Sequence, residues 1–241
     1  MDVQLVILFL FCMGAAIVQR VSGFGFGIFI MTALPWLMPS YGECTALSGL
    51  LAMVTSAIIT SRLYKHIRWR KLLPILVTFV VVSFFAVSFV AVAGDGLLKR
   101  ILGVTLILAS GWFLFLSKRF TLPSSLPVQL SMGTLSGIMG GLFGMQGPPA
   151  VLYFISSTRS KEEYMAIAQC YFLCGNAMMT LFRAQNGFLT ASVARAWCIG
   201  VVAVLLGTMV GSAIFHRISL PLLRRIIYVY MAISGVVALI G

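Results

Sequence analysis

The chain has 241 residues, of which 61% are hydrophobic and only 9% are charged, with a mean hydropathy of +1.07. A water-soluble domain of this size carries about 25% charged residues, so the composition excludes a soluble globular protein and makes a bilayer the natural solvent. The net charge of +12 would suggest nucleic acid in a soluble protein, but the Lys and Arg residues cluster between apolar runs, where they set membrane topology.

The first run, "MDVQLVILFLFCMGAAIVQR", has no basic leader, carries Asp2 and lacks a small-residue cleavage site. It reads as a retained helix rather than a cleaved signal. Runs of the length needed to cross hydrocarbon, about 20 residues, fall at roughly 3–21, 44–61, 72–93, 98–116, 164–182, 194–215 and 221–240. Two further regions are interrupted. Region 27–39 follows "SGFGFG" (residues 22–27), and region 127–157 contains "GIMGGLFGMQGPP". Each glycine weakens a helix by about 1 kcal/mol relative to Ala. Short apolar segments broken by Gly and Pro predict discontinuous helices or re-entrant hairpins.

The chain also reads as two halves. "LKRILGVTLILASG" (98–111) resembles "LRRIIYVYMAISG" (223–235), and "SGFGFG" answers "GMQGPP". Aligning Gly23 with Gly144 places Ser48 on Gln169, Thr55 on Asn176 and Arg62 on Arg183. Residue identity along this alignment is very low; the repeated order of features carries it. Charge orients the halves. With the basic loop 62–71, "RLYKHIRWRK", in the cytoplasm and each broken region returning the chain to its starting side, thirteen basic residues lie inside. Four lie outside: Lys99, Arg100, Arg183 and Arg195. Parallel halves give nine against eight. The positive-inside rule therefore favours inverted halves with the N-terminus outside. The expected fold is an all-α polytopic membrane protein of two inverted repeats, 1–121 and 122–241, with discontinuous or re-entrant Gly-rich segments.

Inverted repeats with broken helices place substrate sites at the midplane, where the breaks meet. Helices starting near Gly27 and Pro149 would present positive dipole ends and free amides to an anion, and Pro148 and Pro149 suit a first helical turn. The candidate substrate-binding residues are Gly23, Gly25 and Gly27 at the first break, Gly144, Gln146 and Gly147 at the second, and Ser48, Thr55, Gln169 and Asn176 on the helices that follow. Gln146, inside the break, is the strongest single candidate. Close helix packing is the competing explanation for the glycines, and interhelical hydrogen bonding for the polar side chains. Arg20 and Arg183 stand at span ends, where snorkelling to headgroups is expected, with recruitment of anions at a vestibule as the alternative. The cysteines Cys12, Cys44, Cys170, Cys174 and Cys198 are scattered through apolar segments and read as buried free thiols. His66 and His216 sit in basic loops and are given no catalytic role. No Asp or Glu falls deep in a predicted span. No metal cluster, phosphate-binding loop or catalytic triad is evident, so neither a cofactor nor an enzymatic activity is expected.

At these residues the sequence resembles the sulfite exporter TauE/SafE family of bacterial membrane proteins. The resemblance rests on "VSGFGFGIFIMTALPWLMP" and "LSGIMGGLFGMQGPPAVLYF", on the basic loop after the next helix, and on the hydrophobic close of each half. The family pattern G-x-G-G-G is replaced by Gly25, Phe26 and Gly27 in the first copy and by Gln146, Gly147 and Pro148 in the second. The resemblance implies a carrier in the bacterial inner membrane. Its partners would be the lipid bilayer and a small anion: sulfite, an organosulfonate or a related sulfur or carboxylate anion. Nucleic acid is not among the expected partners. A passive anion channel and a non-transporting membrane scaffold are the alternatives. Coupling to protons or ions and assembly into homo-oligomers stay open.

Overall fold

The structure, a computed structural model, describes residues 3–112 and 122–214 and a few positions between 229 and 239. The chain order is α1 (Val3–Ser22), α2 (Phe26–Ile30), α3 (Leu34–Leu37), α4 (Tyr41–Leu63), α5 (Trp69–Val92), α6 (Asp95–Gly111), α7 (Leu126–Phe143), α8 (Gly147–Ser157), α9 (Lys161–Gln185) and α10 (Ala191–Ile214). Among the described residues there is no strand. Five helices, α1, α4, α5, α9 and α10, are long and apolar enough to cross a membrane. The expected span at 221–240, and the end of the one at 98–116, lie largely outside the described residues.

Both interrupted regions are interrupted where the glycines stand. The first becomes the break after Ser22, the five-residue α2 and the four-residue α3. The second becomes α7, a three-residue break and the eleven-residue α8.

The helices begin and end for local reasons. Ser40 caps α4 by accepting from Glu43 N at 3.3 Å, and Ser160 caps α9 by accepting from Glu163 N at 3.1 Å. Each start has the spacing S-x-x-E, which satisfies an orphan amide and puts a carboxylate in the first turn. The same device thus opens the long helix after each break. It also starts α4 and α9 three residues earlier than the apolar runs alone indicate.

α4 and α9 form the centre. In their apolar windows 67% and 61% of residues are buried, against 33% in both α5 and α10. The relative directions follow from residue pairs. Gly42 meets Phe188, Gly49 meets Thr180 and Ser56 bonds Gln169, so α4 and α9 are antiparallel. Gly200 meets Cys12, Gly207 meets Ala16 and Gly211 meets Arg20, so α10 runs parallel to α1. Gly133 meets Thr78, Gly137 meets Val82 and Gly141 meets Ala86, so α7 runs parallel to α5. Small residues let these backbones approach closely, which is how helices associate where lipid removes the hydrophobic drive. The outward faces are apolar: Val77, Val81, Phe85 and Val92 on α5 and Val202, Leu206, Met209 and Val210 on α10 are all exposed. In a bilayer those faces meet acyl chains.

At the basic-loop end, Lys71 ties three elements together. Its Nζ donates to Glu163 Oε1 at 2.8 Å and to the carbonyl of Ser157 at the end of α8. The pair is partly exposed, with side chains at 25% and 12%, so its coupling is expected to be about 0.2–1 kcal/mol and to fall with salt. A double-mutant cycle of Lys71→Met and Glu163→Gln, read by thermal unfolding in detergent, checks this. A coupling well above that range that salt does not weaken would contradict it.

Candidate functional site

The two breaks lie against each other. Gly25 adopts φ +100° and caps the start of α2; Gly144 adopts φ +67° and ends α7. These are left-handed conformations that side chains with a Cβ rarely take. A Cβ on Gly27 would collide with the carbonyl oxygen of Gly144 and lie 3.6 Å from Met145 Cα. The first turn of α2 therefore touches the backbone of the opposite break, with no side chain between them.

Serines brace each break. The Ser22 hydroxyl lies 2.6 Å from the Phe24 carbonyl and 2.8 Å from that of Val18. Ser136 Oγ donates to the Gln146 carbonyl at 2.6 Å and accepts from Ala150 N at 3.2 Å. In each case a hydroxyl satisfies backbone groups that the interrupted helix leaves without partners.

Between the breaks is a small cavity. Gly25, Phe26, Gly27 and Ile28 line it on one side and Gly144, Met145, Gln146 and Gly147 on the other; Gln19, Ala52, Phe172 and Asn176 close it. About 30 Å³ is open to the centre of a water-sized sphere, enough for one or two waters. The amides of a helix's first turn have no acceptor inside the helix, and the first turns of both short helices line this space. At α8 the prolines 148 and 149 carry no N–H and Ala150 N is taken by Ser136, which leaves Gln146 and Gly147 as the amides on that side. The helix starts at Gly147, one turn-position earlier than the prolines suggest.

The ten candidate residues divide. Gly25, Gly27, Gly144, Gln146, Gly147 and Asn176 line the cavity. Gln146 is 4% exposed; its amide reaches the Phe172 carbonyl at 3.4 Å, while its Oε1 is buried without a partner among the described residues. Ser48 stands next to Gly144, and its hydroxyl is likewise buried and unpartnered. Gly23 and Gln169 lie one layer toward the basic loop, where Gln169 Nε2 donates to the Gly23 carbonyl at 2.7 Å. Thr55 turns back onto its own helix, donating to the Ala52 carbonyl at 3.0 Å.

Sequence reasoning missed Gln19 and Ser56. Gln19 Nε2 donates at 3.1 Å to both Ser56 Oγ and Gln169 Oε1, and Ser56 Oγ donates to Gln169 Oε1 at 3.1 Å. This closed triangle joins α1, α4 and α9 beneath the cavity.

Arg183 requires a correction. It does not snorkel to headgroups: it is 0% exposed, because α9 continues past it to Gln185 and packs on α4. Its Nη2 donates to the Gly140 carbonyl at 3.0 Å and lies 3.5 Å from that of Gly141, at the C-terminal end of α7. Nε and Nη1 have no partner among the described residues. An unpaired buried charge costs several kcal/mol, so Arg183 is an expensive side chain to keep in the interior. The cysteines are all free, but Cys198 is exposed on α10 and Cys174 half-buried, so burial holds only for Cys12, Cys44 and Cys170.

A helical membrane protein whose two interrupted segments meet around a buried polar cavity has the construction of a secondary transporter. The chain belongs to the sulfite exporter TauE/SafE family, which it matches over residues 8–238. It is similar to a protein of Cupriavidus necator named "Probable sulfite/organosulfonate exporter TauE". The two are 27% identical over 220 residues, covering 87% of this chain and 84% of that one. No solved structure matches the chain.

Proposed function

We propose that the protein exports a small sulfur oxyanion or organosulfonate across the bacterial inner membrane, by alternating access at the cavity between the breaks. The observation that carries this reading is the direct backbone contact of the two interrupted segments, Gly27 against the Gly144 carbonyl, with polar groups from both around one space.

The halves 1–121 and 122–241 are inverted in this reading. Exchanging them turns the α1–α10 pair into the α7–α5 pair and the α4–α9 pair into itself. The helix directions support it. α4 runs toward the basic loop and α5 away from it; α7 is parallel to α5, α9 antiparallel to α4, and α10 returns after the short connection 186–190. Each helix of the second half then runs opposite to its counterpart. The cavity, about 30 Å³, is too small for an organosulfonate, so binding one requires it to widen. Access from either side requires the tips of α2 and α8 to separate.

Gln146 is the side chain that meets the anion, its carboxamide rotating from the long bond to Phe172. A hydrogen bond to a charged group contributes about 1.5–3 kcal/mol, so Gln146→Leu should weaken sulfite binding at least about tenfold with the folded protein retained. Sulfite-dependent thermal shifts and flux in vesicles check this; unchanged kinetics in a folded variant would remove Gln146 from the site.

A further inference from the structure

We infer that Arg183, Asn176 and Thr180 form a second anion subsite, on the side of the cavity away from the basic loop, for the sulfite or sulfonate group passing between cavity and membrane face. This rests on the transporter reading above and adds to it a charged station that the cavity itself lacks.

Three observations carry it. Gln169, Asn176 and Arg183 are seven apart on α9, so they share one face, about 10 Å between successive members. That face is packed on α4. The middle member lines the cavity. The last is a fully buried guanidinium that forms no ion pair with a carboxylate among the described residues. Around the bare backbone of Gly49 three polar groups converge. The position a Cβ would take there is 3.2 Å from Arg183 Nη1, 3.6 Å from Asn176 Oδ1 and 3.7 Å from Thr180 Oγ1.

Capping α7 accounts for Nη2 alone. It leaves the N–H groups of Nε and Nη1 without a partner among the described residues, and the half-charge of the α7 end offsets only part of the guanidinium charge, at a depth where a neutral donor would cap the same carbonyls at far less cost. An oxyanion supplies what is missing: a negative charge and several acceptors. The hydroxyl of Thr180, whose one polar contact among the described residues is 3.8 Å to Met53 Sδ, and the carboxamide of Asn176, once turned so that Nδ2 replaces Oδ1 at this spot, complete a donor set suited to a tetrahedral or pyramidal oxyanion. Asn176 then belongs to both stations, so the anion is handed over without an intervening apolar step.

The test uses the purified full-length protein, with sulfite titrated by thermal shift and its exchange followed in sealed vesicles. Arg183→Gln should raise the sulfite Kd at least about tenfold, since the lost bonds are charge-assisted, and Arg183→Lys should recover much of that loss. A mere helix cap predicts a lower melting temperature without ligand and a sulfite Kd within about twofold of wild type; that result overturns the inference. Should Arg183→Gln give no folded protein, Thr180→Val and Gly49→Ala decide. Each is expected to weaken sulfite by about threefold or more, and an unchanged Kd in both overturns it. If the wild-type protein neither binds nor exchanges sulfite or a sulfonate, the transporter reading fails and this one with it. If the wild type does both while the variants keep its Kd, only the subsite fails.

Discussion

Gly27→Val should leave little folded protein and no transport. A side chain at this position collides with the Gly144 carbonyl, which belongs to the backbone of the opposite break and is fixed by neighbours on both sides. Gly144 N is bonded to the Gly140 carbonyl at 2.9 Å and Met145 N to that of Met139 at 3.2 Å, while Ser136 holds Gln146. Nothing there can rotate away as a flexible side chain would. Overpacking a fixed site costs typically 1–3 kcal/mol and occasionally more; this contact is backbone to Cβ, so about 3 kcal/mol or more is expected. The denaturant midpoint in detergent gives the measurement. Gly187→Ala serves as a comparison: Gly187 has φ +75° but open space around it, so it carries only the conformational strain, about 1 kcal/mol. Gly27 has no positive φ, so its loss reports the contact alone, and a loss at Gly27 no larger than at Gly187 would mean that the contact between the breaks is far softer than its geometry implies.

Gln169→Leu is expected to destabilise the protein by about 2 kcal/mol, because three interhelical bonds of about 0.6 kcal/mol each are lost together and the Gly23 carbonyl and Gln19 amide lose a partner. Gln169 does not line the cavity; it fastens α9 to the first break and to α1 and α4. The variant should therefore unfold earlier while keeping its sulfite Kd within a few-fold. Gln146→Leu should do the reverse. If Gln169→Leu lost anion binding at unchanged stability, the triangle with Gln19 and Ser56 would be part of the binding site.

What the sequence disclosed, and what it hid, follows from which interactions are local. The breaks were legible because glycine and proline act on the backbone at their own positions: the helices stop at Ser22 and Phe143 and restart at Phe26 and Gly147. The starts of α4 and α9 were written in Ser40-x-x-Glu43 and Ser160-x-x-Glu163, but their polar residues fell outside the apolar runs, so the helices were read as too short. At the other end of α9 the helix continues to Gln185, whereas the apolar run stops at Phe182, which put Arg183 at a membrane face. Its partners, Gly140 and Gly141, are more than forty residues away, and nothing near Arg183 in the sequence separates a buried guanidinium from a snorkelling one. Gln19 was hidden in the same way, standing beside Arg20 at the end of an ordinary span, with its acceptors 37 and 150 residues distant. Heptad spacing found the right face of α4, but not the role: Thr55 bonds its own helix, whereas Ser48, one heptad earlier, faces the break. Spacing of seven residues fixes a direction around the helix and leaves open what lies there.

The breaks, the antiparallel α4 and α9, and the buried polar stripe on α9 acquire a single purpose only if one cavity serves both sides of the membrane. Counterflow tests that most directly. Vesicles carrying the purified protein are loaded with unlabelled sulfite, and labelled sulfite is added outside at trace concentration. Alternating access at one site predicts that label rises transiently above its equilibrium level and then falls. Label that equilibrates without an overshoot, or that enters no faster than into vesicles without protein, would contradict it.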